Sequence, residues 1–206
     1  MDTFLKLLAK LVGLFTKTNE QVKLSIVAKN DKELEAESNL TNNSENIFSM
    51  YFTLEEVMRS ETAIRKGIDN TPTKAQIFQL QQVCAAILDP IREHYNKPVR
   101  ILSGFRCDKL NKTIGGSSKS QHKAGNLDAA IDFEFYDKSM NLEAVFHWIT
   151  QLSGLQFDQC IAEFLPEGWI HISYKMGGPN RGKITKALKI NGRTKYEQLG
   201  FSEWSK

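Results

Sequence analysis

The sequence predicts an α+β fold: helices first, then a small, mainly antiparallel sheet flanked by them. Three observations carry this reading. Before Pro98 the apolar residues recur at helical spacing, as in Ile77, Leu80, Val83, Ile87, Leu88 and Ile91. Beyond Pro98 the period drops to two, and Ile131, Phe133 and Phe135 alternate with Asp132 and Glu134. Near the C-terminus Asn191-Gly192, a pair favoured in two-residue hairpin loops, closes the tail.

The elements follow in order. Phe4, Leu7, Leu8, Leu11, Leu14 and Phe15 share one face of a predicted helix in residues 1–17, with Lys6, Lys10 and Lys17 on the other. Such a basic amphipathic helix packs on its own domain, lies in a membrane interface or docks on a partner. Residues 18–47 read as a polar linker, acidic and rich in Asn and Ser from Lys29 to Asn46, with room for one short strand at Val22–Val27. The folded domain spans residues 48–206. Within it, Thr53 followed by Glu56 is a capping box that opens a short helix. Gly67 and Asp69-Asn70-Thr71-Pro72 break the chain into a loop. A longer helix is predicted from Thr73 to His94, bent or divided at Pro90. Val99 to Leu102 reads as a strand, and Gly115-Gly116-Ser117-Ser118 as a flexible loop. A strand through Ile131 to Phe135, a helix from Leu142 to Leu152, and strands over Asp158–Phe164 and Trp169–Tyr174 complete the order.

Composition sets bounds. The 206 residues are 41% hydrophobic and 25% charged, enough for one domain with a core and an ordinary surface. A net charge of +3, with no basic stripe interleaved with aromatics, argues against nucleic acid as a partner. Cys84, Cys107 and Cys160 are widely spaced and odd in number, so neither a disulfide framework nor a cysteine zinc site is expected. The N-terminus lacks the pattern of a secretory signal, because Lys6 and Lys10 interrupt its apolar residues.

Chemistry concentrates in two stretches, Ser120-Gln121-His122 through Asp132, and Trp169-Ile170-His171. Strand alternation turns His171 away from Ile170 and Ile172, towards a cleft. Two imidazoles and a carboxylate make a three-ligand zinc set that leaves a fourth position for water, the arrangement of a catalytic zinc. His94, at a helix end, and His147, within a helix, read as structural.

At these residues the chain resembles the zinc D-alanyl-D-alanine carboxypeptidase family. That family includes vancomycin-resistance D,D-dipeptidases, phage L-alanyl-D-glutamate endopeptidases and, more distantly, the hedgehog fold. The resemblance covers about residues 50–188 and is closest to the compact bacterial and phage subgroup. It runs through Phe52-Thr53-Leu54-Glu55-Glu56, Gly67 to Pro72, Leu88-Asp89-Pro90-Ile91-Arg92, Ser103-Gly104-Phe105-Arg106, Ser120-Gln121-His122, Phe157-Asp158-Gln159 and Trp169 to Tyr174.

The resemblance implies zinc held by His122, an aspartate and His171. Relatives place the aspartate seven residues after the first histidine, where this chain has Ala129. Ala130-Ile131-Asp132-Phe133 matches the family's Ala-x-Asp-Phe, displaced by a three-residue insertion after Gly125. Asp132 is therefore the favoured ligand, opposite Ile131 and Phe133, with Asp128 as its rival in the inserted loop. The family's acid three residues before the second histidine corresponds to Gly168, which leaves Glu163 and Glu167 as candidate catalytic acids, with Glu163, similar to a glutamate common in the subgroup, the favoured one. Arg106 resembles the arginine that steadies the substrate carbonyl, a task suited to a fixed, always charged fork of donors. Ser120 is a candidate substrate contact, and Asp108 and Arg181 are peripheral ones.

The activity so implied is zinc-dependent hydrolysis of peptidoglycan stem-peptide amide bonds next to D-amino acids, by a protein made in the bacterial cytoplasm and acting at the cell wall. A phage lysis enzyme fits that description, released by a holin or carried with a particle. The displaced aspartate and the missing acid at Gly168 motivate an alternative, an inactive wall-binding or virion module on the same fold. A third possibility gives the main role to residues 2–17, through a membrane surface or partner.

Overall fold

The computed structural model describes residues 48–200. The helix expected in residues 1–17 and the linker expected at 18–47 lie outside them. Among the described residues no helix is long and apolar enough to cross a membrane.

Two short helices open the domain. α1 (Leu54–Met58) starts at the Thr53–Glu56 capping box, whose two reciprocal hydrogen bonds are both present. The chain leaves helical geometry at Arg59, and α2 (Glu61–Lys66) is capped anew by Ser60 and ended by Gly67 at φ 56°. The short helix predicted before Gly67 is therefore two helices. Asn70 in the following loop is a clamp: its Nδ2 donates to Met58 O and Phe105 O, and its Oδ1 accepts from the Cys107 amide.

The long helix predicted from Thr73 to His94 is divided. α3 (Lys74–Val83) runs into a π-helical turn at Cys84–Leu88, and α4 (Asp89–Tyr95) continues with Pro90 in its first turn. Pro90 has no N–H to donate back along the helix. The chain widens before it, and the Asp89 amide donates to Cys84 O, five residues back. The apolar face survives: Leu80, Val83, Ile87, Leu88 and Ile91 are fully buried, each side chain contributing about 1.5–3 kcal/mol.

These helices cover one face of a six-stranded sheet. Its strands are β1 (Val99–Ser103), β2 (Asp128–Phe135), β3 (Gln159–Glu163), β4 (Trp169–Lys175), β5 (Lys183–Ile190) and β6 (Arg193–Leu199). The order is β1-β2-β4-β3-β5-β6, antiparallel except for the β3–β5 pair. α5 (Asp108–Thr113) lies between β1 and β2, and α6 (Leu142–His147), extended by a π-helical turn at Trp148–Leu152, lies between β2 and β3. Asn191 and Gly192, at φ 51° and 76°, form the predicted turn between β5 and β6.

Alternation divides the sheet into two faces. Ile131, Phe133, Ile170, Ile172, Cys160 and Ala162 turn to the helices and are almost fully buried. Asp132, His171 and Ile161 are successive cross-strand partners on the other face. His94 stacks on Trp148 with ring centroids 3.9 Å apart, a packing role.

Candidate metal centre

The polar face of the sheet is the floor of a cavity of about 570 Å³, lined by Arg106, Ser120, Gln121, His122, Asp132, Glu163, Trp169, His171, Arg181 and Tyr196, among others. His122 reaches it from a single 3-10 turn, Gln121–Lys123, which Ala124 ends at φ 48°. Gln76 of α3 holds that turn by donating to Lys123 O. Just beyond it Asn126 and Leu127 turn the chain, at φ 53° and 63°. The β2–β4 register that follows sets Asp132 opposite His171.

Asp128 differs from expectation. It is the first residue of β2, not part of a loop, and it pairs with Lys175. Four residues of strand separate it from Asp132, about 13 Å, too far for both to reach one ion. Its carboxylate instead accepts from Gln121 Nε2, which also donates to Asp158 Oδ2. Burial, and then the charge of Asp158, push the Asp128 carboxyl up despite the Gln121 bond.

His122, Asp132 and His171 converge, all three buried, and are able to hold a metal ion. His122 Nε2 lies 3.3 Å from His171 Nδ1 and 3.2 Å from Asp132 Oδ1, and His171 Nδ1 lies 2.8 Å from Asp132 Oδ1. The edges of a tetrahedron with zinc–ligand bonds of ordinary length are about 3.4 Å. Two edges already have that length, and the third needs to open by roughly half an ångström. His122 Nδ1 donates to Gly104 O at 2.8 Å, which keeps the Nε2 lone pair facing the site. Burial lowers the pKa of His122, against the pull of Asp132, and so favours the neutral, ligating imidazole. For Asp132, burial acts to raise the pKa, but His122 and His171 outweigh it and the carboxyl is held well below its usual range. The donor set fits zinc: two neutral imidazoles and a carboxylate.

Arg106 is engaged by the protein itself. Its Nη2 donates to Asp132 Oδ2 and its Nε to Ser103 Oγ, both at 2.7 Å. Its backbone is laced in place as well: the Phe105 amide donates to Val57 O, the Arg106 amide to His122 O and the Cys107 amide to Asn70 Oδ1. The α1 end, the Asn70 loop and the His122 turn thus fix one arginine, which fixes one carboxylate oxygen. Ser120 lines the cavity, and its side chain makes no capping bond to the turn that it precedes. Asp108 is exposed and pairs with Lys123, while Arg181 lines the cavity and grips Asp158 through Nε and Nη2.

The two candidate acids part ways. Glu163 ends β3, is half-buried and lines the cavity. Burial, and then the charge of Asp132, raise its pKa. Glu167 is exposed in the β3–β4 turn and lines smaller clefts elsewhere. Gly168 has a clear steric cause: a Cβ there would lie 1.7 Å from Glu163 O, where no side chain fits. One cavity residue, Tyr196, carries no signal in motif spacing. Tyr196 has one in hairpin register, because a two-residue turn at Asn191-Gly192 sets it opposite Ala187.

No curated protein matches the chain. Residues 50–173, more than half of the sequence and the stretch holding every residue of the His-Asp-His group, match the family described as Peptidase M15. The chain belongs to the peptidase M15 family of metallopeptidases.

Proposed function

We propose that the protein is a zinc-dependent hydrolase of peptidoglycan stem peptides, cutting amide bonds next to D-amino acids at the cell wall. The observation that carries this reading is the near-tetrahedral spacing of His122 Nε2, Asp132 Oδ1 and His171 Nδ1 on the floor of a polar cavity that Glu163 also lines. Zinc held by these three residues would supply a Lewis acid that polarises a carbonyl and acidifies water.

The protein's own residues do the rest. Glu163 takes a proton from the attacking water and later delivers it to the leaving amine. Its raised pKa suits both tasks, since a carboxylate of ordinary pKa releases a proton readily but seldom carries one near neutrality. Arg106 is a positioning residue that holds Asp132 Oδ2 and so leaves Oδ1 to face the two imidazoles. Ser120, with no cap to make, is placed to bond a backbone group of the bound peptide. Delivery by a phage lysis system fits this activity, as does a bacterial wall-remodelling role.

The test is turnover. Zinc-loaded protein is incubated with a stem pentapeptide ending in D-Ala-D-Ala and with purified sacculi, and products are read by mass spectrometry. Release of D-Ala or cleavage at D-Glu supports the proposal and tells carboxypeptidase from endopeptidase. Zinc-loaded protein that releases nothing from either substrate refutes it and leaves a wall-binding module.

A further inference from the structure

The β5–β6 hairpin lies beyond the family match, which ends at residue 173, yet it contributes to the cavity. Register shows how. Trp169 of β4 opposes Glu163 of β3, Glu163 opposes Ala187 of β5, and Ala187 opposes Tyr196 of β6. The four residues form one row across the polar face. Ala187, fully buried, raises only a methyl group between Glu163 and Tyr196. Across that gap the Tyr196 side chain lines the same cavity as Glu163 and the histidines. Its hydroxyl has no hydrogen-bond partner among the described residues.

The reaction has a use for such a group. In amide hydrolysis, negative charge grows on the carbonyl oxygen, and a neutral or cationic donor aimed there stabilises it. Arg106 already gives Nη2 to Asp132 and Nε to Ser103. Burial, and then the charges of Glu163 and Asp132, push the Tyr196 hydroxyl pKa up, so the phenol stays a donor.

We propose that Tyr196 is a substrate-contacting residue whose hydroxyl donates a hydrogen bond to the carbonyl oxygen of the amide being cut. As water adds to the carbonyl carbon, the π electron pair moves onto that oxygen, where the Tyr196 O–H meets it. When the C–N bond breaks, the pair returns to the carbonyl and the amine leaves with the proton carried by Glu163. Tyr196 keeps its own proton throughout. The proposal rests on the hydrolase reading above.

Two measurements on Tyr196→Phe test it, with Arg193→Ala, an exposed change on the same hairpin, as control. One is kcat and KM on the stem pentapeptide. The other is calorimetric binding of a phosphinate dipeptide, a tetrahedral mimic of the reacting carbonyl, to the zinc-loaded protein. Tyr196→Phe is expected to lower kcat by about 100-fold to 1,000-fold, to leave KM within about 2-fold, and to weaken phosphinate binding to a similar degree. Zinc content and melting temperature stay at wild-type values, and Arg193→Ala behaves as wild type. Wild-type kcat and phosphinate affinity in Tyr196→Phe would overturn the proposal while leaving the hydrolase reading intact. A wild-type protein that neither turns over the peptide nor binds the phosphinate overturns both.

Discussion

Placing an acid at Gly168, three residues before His171, should harm this protein. The perturbation is Gly168→Glu, with Gly168→Ala as the minimal form. A Cβ at this position would stand 1.7 Å from Glu163 O and 2.8 Å from Glu163 C, where real contacts are essentially never below 3.0 Å. Relief requires a shift of at least about 1.3 Å between the end of β3 and the start of β4. The shift breaks the Gly168 N–H···O Phe164 bond of 3.0 Å that closes the turn, a loss of about 1 kcal/mol. Overpacking adds about 1–3 kcal/mol. The sum, roughly 2–4 kcal/mol, corresponds to a fall in Tm of about 5–15 °C for a domain of this size. Thermal unfolding followed by circular dichroism reads it directly. Because the moving backbone carries Glu163, Gly168→Glu is also expected not to rescue the activity of Glu163→Gln. Gly168→Ala with wild-type Tm, or rescue by the glutamate, would refute the steric reasoning.

Other expectations follow from the same geometry. Glu163→Gln should lower kcat by about 10²–10⁴-fold with zinc content unchanged, as steady-state kinetics beside metal analysis would show. Arg106→Lys cannot hold Asp132 and Ser103 together, so zinc affinity in chelator competition should fall about 10-fold to 100-fold; unchanged affinity with a raised KM would instead mark a residue that serves the substrate alone. Asp158 is acted on by burial, which raises its pKa, but the bonds from Arg181 and Gln121 prevail and hold it below the usual carboxylate value. A lowered folded pKa means that its stabilisation is present above the unfolded value and is lost as pH falls through the folded one. Asp158→Asn should therefore melt below wild type between pH 5 and 7, and the difference should shrink as pH drops below about 3.8. A gap that stays constant down to about pH 2 would contradict this.

Much of the fold was legible because local rules dictate it. Thr53–Glu56, Gly67, the alternation through Ile131–Phe135 and the Asn191-Gly192 turn each carry their structure in a few residues. The division of the long helix was legible at Pro90, but not its form, since a π-helical turn depends on how the chain repacks around a missing N–H. The site was half legible. Alternation separated Asp132 from Ile131 and Phe133, yet Asp128 shares its parity, and only the β2–β4 register sets Asp132 opposite His171. Glu163 was favoured over Glu167 only through the resemblance, because which side of a turn meets the cavity is a tertiary fact. Tyr196 was hidden for a related reason: the turn fixes its partner Ala187, but nothing local reveals that β5 docks parallel to β3.

Metal content reads whether His122, Asp132 and His171 hold zinc. Purified protein loaded with zinc and dialysed should carry about one ion per chain, a value kept in Asp128→Ala and lost in Asp132→Ala. Wild-type protein without zinc after loading, or zinc lost with Asp128→Ala and retained with Asp132→Ala, would contradict the account.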